Sequence, residues 1–151
     1  MASRSVNSGG SIKARKGNGA ERLIAYNLML AGYEVTRLDD NTAGIDLIAF
    51  KTKGTLGGIS WYIEVKFHQK FSWNEIRKIH KKTATTTKEI NKGGYGACPI
   101  FVFKSNRQPW LVAYVNDWDE LQIKEFVHFF NMKFPIQSIP KGYKVWKDNK
   151  V

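Results

Sequence analysis

The sequence predicts an α/β fold, a mixed central β-sheet of about five strands flanked by helices. Three observations predict it: short apolar runs rich in β-branched and aromatic residues, longer segments with helical periodicity and end signals, and their order of helix, three strands, helix, two strands, helix. The chain has 151 residues, 42% of them apolar, which suits one domain with a real core. No internal repeat or second domain is visible.

Each element follows from local signals. "MASRSVNSGGSIKARKG" is Ser/Gly-rich and basic with no acidic residue, so residues 1–14 read as a flexible arm able to reach a phosphate backbone, ahead of one domain over 15–151. "NGAERLIAYNLMLAG" predicts a helix from about Gly19 to Ala31, with Gly32 placed for a left-handed cap. "YEVTRL", "GIDLIAF" and "ISWYIEVKF" predict three strands, the last two joined by the turn "KTKGTLGG". "SWNEIRKIHKKTATTTKEINKGG" opens with Ser72 and Glu75 in capping-box spacing and closes on Gly93 and Gly94, a helix of about five turns. Ile76, Ile79, Thr83 and Ile90 share its apolar face, and Arg77, Lys81, Lys88 and Lys92 form a basic stripe opposite.

"ACPIFVFKS" and "PWLVAYV" predict two more strands around a turn near Asn106. Asp117 and Glu120 repeat the capping-box spacing before "WDELQIKEFVHFF", which predicts a last helix with an aromatic face. The tail "KGYKVWKDNK" interleaves basic and aromatic residues, a pattern that suits nucleic-acid contact and equally a packed C-terminal extension.

Charge narrows the partners. Lys and Arg outnumber Asp and Glu by 24 to 13, a net charge of +11, so the surface should attract a polyanion, with nucleic acid first. An anionic membrane surface also fits the charge, but no apolar run has the length of a spanning helix. The N-terminus lacks the apolar core of a signal peptide, and an intracellular, DNA-associated location is expected. Cys98 is the only cysteine, which excludes an intramolecular disulfide and a Cys-cluster zinc site; its run "ACPIFVF" predicts a buried structural thiol.

Three charges in apolar strands carry the chemistry. Tyr62, Glu64 and Lys66 point to one side of their strand and Ile63, Val65 and Phe67 to the other, so Glu64 and Lys66 converge. That pair alone is weak evidence, since alternating charges are routine on a half-exposed strand. Asp46 begins the preceding strand, and antiparallel pairing would bring it near Glu64. Two neighbouring carboxylates repel each other, and a divalent cation between them relieves the repulsion. Oxygen ligands favour Mg²⁺ or Mn²⁺ over zinc. Lys66 would add a positive group beside a scissile phosphate, to orient water and stabilise developing charge. Glu21 shares its helix face with Ile24, Ala25 and Leu28, and so faces inward at the first turn, where the helix dipole also favours a carboxylate.

The pattern Glu21, Asp46, Glu64-Val65-Lys66 resembles the PD-(D/E)xK nuclease superfamily, and "RKGNGAERLI" with "AGYEVTR" is similar to the opening of the archaeal-type Holliday junction resolvases. The resemblance runs from Arg15 to about Lys70. It implies a restriction-endonuclease-like fold and a homodimeric, Mg²⁺-dependent endonuclease that nicks symmetrical strands of a four-way DNA junction. Asp46 and Glu64 match the family's metal ligands, the main-chain carbonyl of Val65 adds to them, Lys66 matches the catalytic lysine, and Glu21 matches the helical acid beside the metal. Arg15, Lys16, Arg22 and Arg37 match basic positions that meet phosphates; Lys70, beyond the strand, and Lys81 and Lys88 on the helix stripe join them as DNA-binding candidates. Thr42 falls where these resolvases carry a hydroxyl residue in a mobile loop before the aspartate, a further catalytic candidate. Gly44-Ile45 stands where the superfamily nominally has proline, "KTKGTLGG" is long for the turn, and nothing after Val115 matches.

His68 follows the catalytic strand and could lie near DNA, whereas His80 lies on the apolar side of its helix and reads as packed. Trp61, Trp73, Trp110 and Trp118 are expected in the core or a dimer interface. Two alternatives stand beside junction resolution. A restriction-like or repair nuclease of the same superfamily would act on duplex ends, nicks or other branched DNA. A non-catalytic DNA-binding protein would be expected to lack a site residue, yet Glu21, Asp46, Glu64 and Lys66 are all present.

Overall fold

The computed structural model describes residues 19–38, 42, 44–51, 58–92, 94 and 96–146; the expected N-terminal arm, the turn at 52–57 and the end of the tail lie outside them. Helix α1 (residues 19–30) is followed by strands β1 (Glu34–Arg37), β2 (Leu47–Phe50) and β3 (Ser60–Phe67), helix α2 (Trp73–Asn91), strands β4 (Ala97–Lys104), β5 (Leu111–Val115) and β6 (Leu121–Glu125), and a short helix α3 (Phe126–Phe129). The strands form one six-stranded sheet in sequence order. All neighbours are antiparallel except β3 and β4, which run parallel and need the crossover that α2 supplies.

The C-terminal end of α1 and the N-terminal end of α2 form as their residues predict. Gly32 has φ +96°, Tyr33 N–H donates to the Leu28 carbonyl (3.0 Å) and Gly32 N–H to that of Met29 (3.0 Å), a Schellman closure that turns the chain from α1 into β1. At α2, Ser72 Oγ accepts from Glu75 N–H (3.1 Å) while Glu75 Oε1 accepts from Ser72 N–H (3.0 Å). Lys92, at φ 35°, takes the left-handed cap of this helix; Gly93, predicted to help close it, lies outside the described residues.

Two apolar layers enclose the sheet. On one side Ile24, Ala25 and Leu28 of α1 pack on Leu47, Ile63, Val65, Ile100 and Val102, joined by Phe126, Phe130 and Val145 from the C-terminal region. On the other, Ile76 of α2 packs on Phe101, Phe103 and Ala113. Fully buried Asn27 ties the C-terminal segment to α1: Nδ2 donates to the Gln137 carbonyl (3.0 Å) and Oδ1 accepts from Gln137 N–H (2.7 Å). The C-terminal residues described, as far as Trp146, therefore form a packed extension. Among the described residues no helix is long and apolar enough to cross a membrane.

Two expectations are corrected. The segment predicted as one helix after Asp117 is strand β6 followed by one turn of helix. Asn116 makes the turn: its Oδ1 accepts from Trp118 N–H and Glu120 N–H (both 2.9 Å), so Asp117 and Glu120 cap nothing, and β6 pairs with β5 along Leu111↔Glu125 to Val115↔Leu121. Ile90 leaves the apolar face of α2 at 43% exposure, because the buried stripe runs through Ile76, His80, Thr83 and Thr87. Of the tryptophans expected in the core or a dimer interface, Trp110 is buried and Trp61 packs on Phe129 and Phe130, while Trp73 and Trp118 lie on the surface of the single chain.

Candidate active site

Antiparallel pairing of β2 with β3 sets Leu47 opposite Ile63, and Asp46, one residue earlier, lies within side-chain hydrogen-bonding reach of Glu64. Two hydrogen bonds hold Asp46 there. Its N–H donates to the Ile63 carbonyl (2.7 Å) and its Oδ2 accepts from Val65 N–H (2.8 Å). Main-chain groups two residues apart in a strand point the same way, so the Val65 carbonyl turns, like that of Ile63, toward the Asp46 side.

Glu64 is 9% exposed and pairs in parallel register with Phe101, whose side chain belongs to the α2 layer; Glu64 therefore lies on the α2 face of the sheet. Lys66, two residues on, brings Nζ to 3.8 Å from Glu64 Oε2. Burial pushes the Glu64 carboxyl up from its ordinary 4.5 to about 8, helped by the hydrogen bond and negative charge of Asp46 and, farther off, by the charge of Glu21, against the opposing pull of Lys66. A buried acid beside a second carboxylate holds its proton into neutral pH, unless a stronger positive charge replaces it.

The donor set fits a hard cation: two carboxyl groups and a main-chain carbonyl are all oxygen ligands, the type Mg²⁺ and Mn²⁺ take. Among the described residues no three His, Cys, Asp or Glu side chains group as a ready-made metal shell. Glu21, half-buried on α1 beside fully buried Ile24 and Leu28, reaches Glu64 through its field.

The approach to Asp46 is set by α2, which sequence reasoning missed. Gly44 has φ +86°, and a Cβ there would meet Lys82 Cγ at 3.2 Å and Thr86 Oγ1 at 3.4 Å. That close approach and left-handed backbone explain a glycine two residues before the aspartate. Thr83, 0% exposed, donates its hydroxyl to the Gly44 carbonyl (2.8 Å), its oxygen also lying 3.1 Å from the Ile79 carbonyl. The available signal was a threonine in the middle of an apolar helix face.

The other candidates fall as follows. Thr42 is half-buried, with neighbours on both sides outside the described residues. Arg15 and Lys16 lie outside them too. Arg22, Arg37, Lys70, Lys81 and Lys88 are exposed, and the Arg37 guanidinium sits 5.8 Å from the ring centre of Trp146. His80 is packed as expected: Nε2 lies 3.2 Å from the Pro99 carbonyl and burial pushes its pKa down. Cys98 is half-buried and free, its pKa raised by burial. "FVHFF" contributes to this chain's own core through Phe126 and Phe130.

Compared by sequence, the chain matches no family model and no curated protein. Compared by structure, it is similar to Hjc, a Holliday junction resolvase from the archaeal hyperthermophile Archaeoglobus fulgidus, with 18% sequence identity and a TM-score of 0.50 over 79% of this chain and 98% of that one. The likeness is one of fold, and it agrees with the mixed sheet flanked by helices.

Proposed function

We propose that the chain is a divalent-metal-dependent endonuclease that resolves four-way DNA junctions by paired symmetrical nicks, hydrolysing phosphodiester bonds at Asp46, Glu64 and Lys66. The observation that carries the reading is the buried Glu64 set beside Asp46, with Lys66 next along the same face of β3. Such a group has a folding penalty that Lys66 offsets only in part, since the Glu64 pKa stays raised despite it, and a cation would relieve it. Asp46, Glu64 and the Val65 carbonyl would hold the metal, with water and phosphate oxygens completing the shell and Glu21 biasing the field from α1. Bound, the metal would lower the pKa of a water and neutralise charge on the phosphate.

The protein's own groups do the rest. Val65 N–H fixes one oxygen of Asp46 and leaves the other for ligation. Lys66 donates toward the scissile phosphate and the attacking water, and Thr42 contributes a hydroxyl from the loop before Asp46. Arg22, Arg37, Lys70, Lys81 and Lys88, with Arg15 and Lys16 ahead of α1, hold phosphates, in keeping with the net charge of +11. A four-way junction has two equivalent strands to cut, so the working unit is a homodimer with two sites.

The test compares a synthetic four-way junction, a duplex of the same sequence and a single strand, with Mg²⁺, with Mn²⁺ and with chelator. Metal-dependent cleavage confined to the junction supports the reading. Equal cleavage of duplex ends or nicks would leave a repair-type nuclease, and no cleavage of any DNA would remove the nuclease assignment.

A further inference from the structure

Helix α2 passes the segment that leads into β2 with one flank against Gly44. A Cβ at Gly44 would meet Lys82 Cγ at 3.2 Å and both the Lys82 carbonyl and Thr86 Oγ1 at 3.4 Å, and the Gly44 carbonyl accepts from the Thr83 hydroxyl (2.8 Å). Lys78, Lys82 and Thr86 follow one another at four-residue spacing, so they form one row along the helix, and Gly44 lies against its later half. Lys81 and Lys88 belong to another side, about 100° or more round the axis. The flank of α2 nearest Asp46 is therefore that of Lys82, and the basic stripe legible in the sequence lies elsewhere on the helix.

Gly44 precedes Asp46 by two residues, no more than about 7 Å of chain. Lys82 is exposed, so its stem is laid against Gly44 while its ammonium meets water. Lys78, one turn earlier, is exposed as well, and among the described residues neither lysine has an ion pair. Glu75, on the same flank, has its carboxylate tied into the Ser72 cap. Two like charges at i and i+4 weaken a helix, and a bound anion reverses that cost. The centre they border sets the acids Asp46, Glu64 and Glu21 against Lys66, so a DNA strand laid across it gains from a cation outside the metal site.

We infer that Lys82 is a phosphate-binding residue for the strand being cut, holding a phosphate next to the one at Asp46, Glu64 and Lys66, with Lys78 adding charge to the same flank. The inference rests on the nuclease reading and adds a DNA contact to it. Lys82 touches no reacting atom; it fixes where the strand lies, so that the scissile phosphate meets the site. A junction arm and a plain duplex both supply such a phosphate, hence this contact sets position along the strand and not the choice of DNA structure.

The experiment uses the full chain and the DNA that wild-type protein cuts, with the cut mapped in Mg²⁺. Affinity is then measured in chelator for a set of such DNAs, each carrying a single neutral methylphosphonate at one phosphate near the cut. Lys82→Met keeps the stem over Gly44 and removes the charge; it should lose about five- to tenfold in affinity for unmodified DNA and about one unit of log-log salt slope. On one DNA, modified next to the cut, wild type should bind as weakly as Lys82→Met, and the variant should lose nothing further. At other phosphates the two losses should add. Lys82→Arg should keep the wild-type affinity, and Lys81→Met should show no masking beside the cut. Affinity in Lys82→Met equal to wild type, additive losses at every phosphate, or masking beside the cut by Lys81→Met in place of Lys82→Met would overturn the inference. If wild-type protein cuts DNA in Mg²⁺ while Lys82→Met behaves as wild type, only this inference falls; wild-type protein that cuts no DNA would overturn it together with the nuclease reading.

Discussion

Asparagine at Asp46 keeps an oxygen for the Val65 N–H, and glutamine at Glu64 keeps the shape of a buried acid, so both changes remove charge with little cost to the fold. Asp46→Asn and Glu64→Gln should lower the cleavage rate by about two orders of magnitude or more while junction binding survives, because losing a ligand also relieves repulsion with phosphate. Cleavage at the wild-type rate in either variant would refute the site. Glu64 also predicts a pH dependence of stability. Its carboxyl titrates near 8 when folded and metal-free, against an ordinary 4.5, so between these values the folded chain holds the extra proton. Stability therefore falls as pH rises through that window, being fully retained below it. Melting temperatures of metal-free protein should decline from pH 5 to pH 8, Glu64→Gln should flatten the decline, and Mg²⁺ should raise the melting temperature more at pH 8 than at pH 5. Identical profiles for wild type and Glu64→Gln would contradict the assignment.

At the scale of elements, α2 both docks on the sheet and holds the backbone before Asp46, since Thr83 grips Gly44 two residues away. Thr83→Val should lose about 1 kcal/mol of stability and Gly44→Ala about 1 to 2 kcal/mol, the second from a left-handed backbone and a crowded Cβ. Both should slow cleavage more than they weaken DNA binding; equal kcat in Thr83→Val and wild type would show that the contact does not position Asp46. The C-terminal cap of α1, the N-terminal capping box of α2 and the pairing of β2 with β3 were legible because each depends on neighbours in sequence. The Thr83 contact spans 39 residues and depends on how α2 lies on the sheet, which no local pattern carries. Strand β6 was misread for a different reason. "DELQIKEF" holds good helix formers in capping-box spacing, but pairing with β5 and the Asn116 turn outweigh that local preference.

Over the whole molecule, the net charge of +11 and the exposed Arg77, Lys81, Lys88 and Lys92 on one side of α2 imply a salt-sensitive grip on phosphates. The Lys81→Ala, Lys88→Ala double variant should reduce the log-log salt slope of binding by about two units. An unchanged slope would take the helix stripe out of the footprint. The composition points to a polyanion partner, and the strand charges are what the structure gathers at one place, Asp46 beside Glu64 and Lys66. Assembly was less legible in the sequence, because the apolar segments that offered interface material, α1 and "FVHFF", are largely used in the chain's own core. If the chain resolves four-way junctions as proposed, the two equivalent strands would need two copies of Asp46, Glu64 and Lys66 acting within one encounter.

A supercoiled plasmid that extrudes a cruciform tests the central claim in one measurement, because paired nicks in a single encounter convert it directly to linear DNA, while independent nicks accumulate open circle first. In Mg²⁺ linear product should appear from the earliest times, with none in chelator and none from Glu64→Gln. Open circle alone, or no metal-dependent product, would contradict that claim.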